Sequence, residues 1–115
     1  ISEGGIYAYI EDKYQNYVDV SDRMTSSVVD VSRTDFEGSL ITNARKVDCS
    51  TSLLSEIIAH KAVSVACNNC PNLEYVGAPL CTHLEVAGAD FKELRTNVSY
   101  NCEIEGLEKK NQLKK

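Results

Sequence analysis

The sequence predicts an α+β domain in which an antiparallel sheet meander packs against one main helix, at about residues 51–66, and disulfides stabilise the fold. Three features support this prediction. Apolar and polar side chains alternate early in the chain, and a later stretch has apolar residues at intervals of three and four. The chain also contains five cysteines among 115 residues. Because the strand-like and helix-like stretches are segregated along the chain, α+β is favoured over α/β.

Four strands with short connections are predicted in the first part of the chain. Side chains alternate in the manner of a strand over 6–10, 17–21 and 28–32. A fourth strand is predicted over 36–42, with Gly38 as a bulge or bend, because glycine inside a strand often marks such a site. The short connections indicate an antiparallel meander.

The tetrapeptide Val-Asp-Val-Ser occurs at 18–21 and again at 29–32. Two adjacent strands of one sheet explain this echo better than a duplicated module, which would be much longer. Pairing of the two strands as a hairpin places Asp19 opposite Asp30, where two carboxylates repel each other. We therefore expect a basic side chain, Arg33 or Arg23, beside the pair. The alternatives are a calcium ion between the carboxylates or a register that slips by two residues.

One stretch changes to a helical period, and the polar residues at 50–52 supply candidate N-caps. The helix is predicted to end at 67–71, where asparagine and proline favour termination. The periodic residues are Leu53, Leu54, Ile57, Ile58, Ala62, Val65 and Ala66. The remaining predicted elements are a strand over 83–87, a helical turn over 91–94 and a strand over 97–105.

Charge is distributed unevenly along the chain. The net charge is −5, and residues 108–115 contain four lysines and one glutamate, so residues 1–107 carry a charge of −8. We interpret 1–107 as a single α+β domain and 108–115 as a basic C-terminal tail. An acidic body repels phosphate, so no nucleic acid partner is expected. No apolar run reaches the roughly 18 residues of a membrane-spanning helix, so no membrane span is expected.

The five cysteines are interpreted as half-cystines. A helix over 51–66 would be about 24 Å long, whereas bonded cysteines have Cα atoms within about 7 Å. This length separates Cys49 from Cys67 and Cys70, so Cys49 is predicted to pair with Cys81 or Cys102. The odd number leaves one cysteine over, which allows a disulfide-linked homodimer.

Three observations predict a secreted, extracellular protein. Disulfides persist in oxidising compartments. The chain begins with Ile1 rather than methionine, which fits a processed protein. Asn97-Val98-Ser99 is an N-glycosylation sequon, so Asn97 is the candidate glycosylated residue of a glycoprotein.

A zinc site is the alternative interpretation of the cysteines. The candidate ligands are Cys67, Cys70, Cys81 and His83, because thiolates and imidazole are the usual ligands of tetrahedral zinc and CxxC brings two sulfurs to one ion. With disulfides favoured, no metal and no other cofactor is expected.

Four tyrosines, Tyr7, Tyr9, Tyr14 and Tyr17, lie within eleven residues and form the candidate binding surface. Exposed tyrosines suit protein or sugar binding, because the ring is amphipathic and loses little entropy when it is fixed. The alternative is ordinary cross-strand packing. The sequence thus predicts a secreted, non-enzymatic binding protein of the effector, toxin-subunit or inhibitor type. Its expected partner is an extracellular protein or carbohydrate. The alternatives are a small zinc-binding domain or a small secreted hydrolase without identifiable catalytic residues.

Overall fold

A computed structural model describes residues 7–12, 14–21, 24–25, 27–88, 94–106 and 113–114 of the chain. Within these residues the backbone forms strands and no α-helix. The strands are β1 (Ala8–Glu11), β2 (Tyr17–Asp19), β3 (Met24–Thr25), β4 (Val28–Asp30), β5 (Glu37–Thr42), β6 (Lys46–Asp48), β7 (Leu53–Ala59), β8 (Ser64–Ala66), β9 (Tyr75–Ala78), β10 (His83–Glu85), β11 (Leu94–Val98), β12 (Glu103–Glu105) and β13 (Leu113–Lys114).

The strands form two sheets that the chain visits in turn. Sheet A has the order β13-β11-β9-β7-β5-β1-β2, and sheet B has the order β12-β10-β8-β6-β4-β3. The strands from β4 to β13 pair in parallel within each sheet, whereas β1 pairs antiparallel with β2 and β5, and β3 pairs antiparallel with β4. Each coil of the chain therefore adds one strand to each sheet, which is a β-solenoid-like arrangement.

The predicted α+β fold is wrong. The stretch predicted as a helix over 51–66 contains β7 and β8, which lie in different sheets. The antiparallel meander is limited to the strands near the N-terminus. The predicted strand over 97–105 is two strands, β11 and β12, and of the predicted turn over 91–94 only Leu94 lies within the described residues, where it begins β11.

A β-bulge explains why β7 resembles a helix in sequence. The pairing register shifts between Gly38 and Ser39 of β5, so Ser55 is an extra residue in β7. This insertion places Leu54 and Ile57 both on the buried face, three positions apart. The interval of three is the one that also marks a helix, so periodicity alone cannot separate the two structures. The irregularity predicted at Gly38 is present as a shift of register beside this glycine, although the extra residue lies in β7 and not in β5.

Columns of aliphatic side chains from the two sheets fill the interior. Parallel registration places equivalent residues of successive coils directly beside each other, so each column runs through the solenoid. The sheet B column consists of Val29, Val47, Val65 and Leu84, and the sheet A column consists of Ile10, Leu40, Ile57 and Val76.

The predicted hairpin between residues 17–21 and 28–32 is wrong. Asp19 belongs to β2 in sheet A and Asp30 belongs to β4 in sheet B, and each carboxylate accepts hydrogen bonds from the serine two residues later. The tetrapeptide marks the end of a strand where the chain turns between sheets. It recurs in modified form at 47–50 (Val-Asp-Cys-Ser), one coil after 29–32.

Candidate functional site

The five cysteines form no disulfide. Cys49, Cys67, Cys70 and Cys81 are buried, and Cys102 is partly buried. The predicted disulfide framework is therefore wrong, and the predicted separation of Cys49 from its neighbours is wrong with it. Without a helix between them, Cys49 lies one coil from Cys67, and the Cys70 Sγ donates to the carbonyl oxygen of Cys49 at 3.1 Å.

Cys49 and Cys67 belong to an apolar column at one corner of the solenoid. The Cys49 amide donates to the carbonyl of Ala66, and the amides of Val31 and Val86 make the equivalent bonds to the next coil. The residues of this corner column are all buried: Val31, Cys49, Cys67 and Val86. At these two positions cysteine acts as a small apolar core residue.

The remaining buried cysteines also replace small residues of neighbouring coils. Cys70 lies beside Ser52, with the Sγ and Oγ atoms 3.8 Å apart. Cys81 stands two residues before its sheet B strand, as the buried Ala44 and Ala62 do in the preceding coils. The four buried cysteines are thus explained by the space available to them inside the solenoid. An intermolecular bridge, and with it a homodimer, stays a prediction.

The thiols of Cys49 and Cys70 are poor nucleophiles. Hydrogen bonding with Cys67, reinforced by burial, raises the pKa of Cys49 well above its usual range, although the hydrogen bond with Cys70 opposes the shift. Hydrogen bonding with Cys49, followed by burial, raises the pKa of Cys70 as well. Since the thiolate is the reactive species, neither residue is suited to covalent catalysis.

Replacing Cys67 tests its role in packing. We expect Cys67→Val to change the free energy of unfolding by less than about 1.5 kcal/mol, because valine occupies the equivalent corner of two other coils. Cys67→Ser is expected to cost about 1–3 kcal/mol, because it buries a hydroxyl in an apolar column. Denaturant unfolding measures both, and the wild-type transition should be the same with and without a reductant. A wild-type protein that loses stability on reduction would contradict the free-thiol structure.

The structure does not bring together the four ligands of the sequence-predicted zinc site. Cys67, Cys70 and Cys81 point into the interior. His83 is on the outer face of sheet B, where its Nε2 lies 3.7 Å from the carboxylates of both Glu85 and Glu105. Alternation along β10 is the reason, because Leu84 faces the core and its two neighbours face outward.

Three of the four predicted tyrosines form a cluster at the edge of sheet A. The rings of Tyr7 and Tyr9 stack with centroids 6.1 Å apart, and Tyr17 meets Tyr9 edge to face at 5.2 Å. Tyr17 is 65% exposed. Tyr14 is exposed in the turn between β1 and β2, where its amide donates to Asp12. We call Tyr7, Tyr9 and Tyr17 the tyrosine cluster.

The outer face of sheet A extends the tyrosine cluster with residues that the sequence did not single out. Tyr9 is in register with Ile41 of β5, and Ile41 is in register with Ile58 of β7. Further along, the Arg95 guanidinium lies 5.9 Å from the centroid of the Tyr75 ring. The only sequence signal for this face was alternation within single strands, because adjacency depends on the parallel register.

Carboxylates border the tyrosine cluster. An open groove of about 440 Å³ is lined by the cluster together with Asp19. Hydrogen bonds from Ser21, first its hydroxyl and then its amide, lower the pKa of Asp19, so this carboxylate is ionised. Burial raises the pKa of Tyr9, as do the neighbouring Tyr17, Tyr7 and Glu11, so its phenol is neutral.

A second groove of about 340 Å³ adjoins the first on sheet A. Its lining includes Glu11, Asp12 and Glu56, and the hydroxyl of Ser39 donates to Glu56. Asn97, the predicted glycosylation site, is exposed on β11, in register with Gly77 of β9. The outer face of sheet A is thus aromatic and acidic at one edge and carries the sequon toward the other.

Comparison of the chain with protein-family models, with curated proteins and with solved structures gives no match. None of the described residues belongs to a helix with the length and apolarity needed to cross a bilayer.

Proposed function

We propose that the chain is a non-enzymatic binding protein whose tyrosine cluster docks a protein segment carrying lysine or arginine. The observation that supports this most directly is the convergence of Tyr7, Tyr9 and Tyr17 on one face, with an open groove beside them. Aromatic rings that are already fixed by each other lose little entropy on binding, so they make efficient contacts.

The charge around the cluster favours a basic partner. Asp19 lines the same groove as the tyrosines, and Glu11, Asp12 and Glu56 line the adjoining one. A lysine or arginine side chain can stack on a tyrosine face while it pairs with a carboxylate, which combines cation–π and ionic attraction. The protein's net charge of −5 also accelerates the approach of a basic partner.

An extracellular setting is part of the proposal. It is supported by the position of the sequon, since Asn97 is exposed on β11 and accessible to the glycosylation machinery. The cysteines no longer support secretion, because four of them are explained as packing residues. Carbohydrate is the other partner class that stacked tyrosines suit. The acidic border favours a basic protein over a neutral sugar.

Binding to arrayed short peptides tests the proposal. We expect the wild-type protein to retain peptides rich in lysine and arginine and to reject matched peptides in which these are replaced by glutamate. Tyr17→Ser should weaken binding at least about tenfold, because an exposed aromatic anchor at a protein interface typically carries this much energy. Glu11→Gln should weaken binding less and should flatten its dependence on salt.

Tyr100→Ser is the matched control, because Tyr100 is 92% exposed and lies in the turn between β11 and β12, away from the cluster. It should leave binding unchanged, and circular dichroism should show that both tyrosine variants fold. Peptide binding that survives Tyr17→Ser would contradict the proposed site. Binding confined to a glycan array, and lost in Tyr17→Ser, would overturn the basic protein partner in favour of carbohydrate.

A further inference from the structure

The outer face of sheet B carries a patch of one histidine and three glutamates on its last two strands. His83 is in register with Glu103, and Glu85 is in register with Glu105, across the parallel pair β10–β12. All four side chains point outward, because the residue between each pair faces the interior. The patch is independent of the tyrosine cluster, which belongs to sheet A.

Three of these side chains converge. The Nε2 atom of His83 lies 3.7 Å from a carboxylate oxygen of Glu85 and 3.7 Å from one of Glu105. Among the residues that the structure describes, they form the one set of three metal-ligating side chains whose ligand atoms lie within 4.8 Å of one another. The side chains are between 36% and 61% exposed, so an ion can reach them from solvent.

The distance from the imidazole to each carboxylate is close to that between two ligands of one small ion. A nitrogen–oxygen distance of 3.7 Å is too long for a hydrogen bond. Zinc bonds of 2.0–2.1 Å in a tetrahedron hold their ligand atoms about 3.4 Å apart. A shift of a few tenths of an ångström would bring both carboxylates to this distance from the imidazole.

Two aspartates lie in the same row of register partners on sheet B as Glu85 and Glu105, and hydrogen bonds stabilise their carboxylates. Asp30 is in register with Asp48, and each accepts a hydrogen bond from the backbone amide of the serine two residues later. Glu85 lacks this arrangement, because the amide of Ala87, two residues later, donates to Oδ1 of Asn68 and alanine has no hydroxyl. Directly opposed like charges destabilise a sheet, and here both carboxylates turn to His83.

We propose that His83, Glu85 and Glu105 bind a divalent zinc ion, with the imidazole Nε2 and one oxygen from each carboxylate as ligands. One nitrogen and two oxygens suit zinc, whereas calcium and magnesium take oxygen ligands. Three protein ligands leave the fourth tetrahedral position to water or to a group from a partner. The ion neutralises the opposed carboxylates and crosslinks β10 to β12 in the last coil.

Calorimetric titration of the metal-free protein with zinc alone tests the site. We expect one ion to bind per chain, and His83→Asn, Glu85→Gln and Glu105→Gln each to weaken affinity by about 10–100-fold. Cobalt should bind in place of zinc and give the visible absorption of a four-coordinate nitrogen–oxygen site. The same absorption should be lost in the three variants.

Two variants serve as matched controls. His60→Asn removes the other histidine, which is exposed, and Glu103→Gln removes the neighbouring carboxylate that lies outside the trio. Both should leave zinc affinity nearly unchanged, and circular dichroism should show that all five variants fold. Zinc binding that is absent, or equal in the wild type and the three ligand variants, would overturn the site. Saturable binding of calcium in preference to zinc would overturn the choice of ion.

Discussion

Replacing Ile57 by alanine is expected to lower the free energy of unfolding by about 2–5 kcal/mol. Ile57 is fully buried in the sheet A column, in register with Leu40 on one side and Val76 on the other. Truncation leaves a cavity between two packed neighbours that belong to adjacent strands and cannot close it. Chemical denaturation monitored by circular dichroism measures the loss.

Ile58→Ala is the matched control for that variant. Ile58 is the next residue of β7 and lies on the outer face, only partly buried. Its truncation should cost less than about 1.5 kcal/mol. The helix predicted from sequence would place both isoleucines on one apolar face, so equal losses at the two positions would contradict the strand.

Gly38→Ala is expected to destabilise the protein by about 2–4 kcal/mol, from the backbone conformation and from a steric clash. Gly38 has a φ of +91°, which L-residues rarely adopt. A Cβ atom at this position would also strike the backbone, lying 2.7 Å from the Cα of Asp12 and closer still to the carbonyl oxygen of Glu11. Neither backbone group can move without disturbing the pairing of β1 with β5.

Gly77→Ala provides the comparison for Gly38→Ala. The atoms nearest to a methyl group on Gly77 are at the outer end of the Tyr75 side chain, which can rotate away, and the φ of Gly77 is not positive. The loss of stability should therefore be clearly smaller, as judged by thermal unfolding of the two variants side by side. A Gly38→Ala protein as stable as the wild type would rule out the bulge geometry at this position.

Local patterns predicted several elements correctly. The strands predicted over 6–10, 28–32 and 36–42 overlap the observed β1, β4 and β5, each of which has one side toward an apolar interior. The glycine in the third of these strands marked the bulge, because a positive φ is a property of the residue and its immediate neighbours.

The candidate surfaces could be predicted only in part. Tyr7, Tyr9 and Tyr17 were identified because they are close together in the chain, and β1 pairs with β2 through a short turn. The set of His83, Glu85 and Glu105 was missed, because two of its members are separated by twenty residues and meet only through the parallel register of β10 with β12. The spacing of residues within β10 does not indicate that Glu105 of β12 lies beside them.

By itself, the sequence determined several strands within the first 42 residues, the irregularity beside one glycine, and the acidic charge of the body. The tertiary structure alone decided that the strands of successive coils pair in parallel and that β7 is a bulged strand and not a helix. It also decided that the buried cysteines pack in the interior and form no disulfides. The physical reason is the same in each case. Parallel pairing joins residues about sixteen to twenty positions apart. The short periods of the sequence do not indicate which residue lies beside which across that distance.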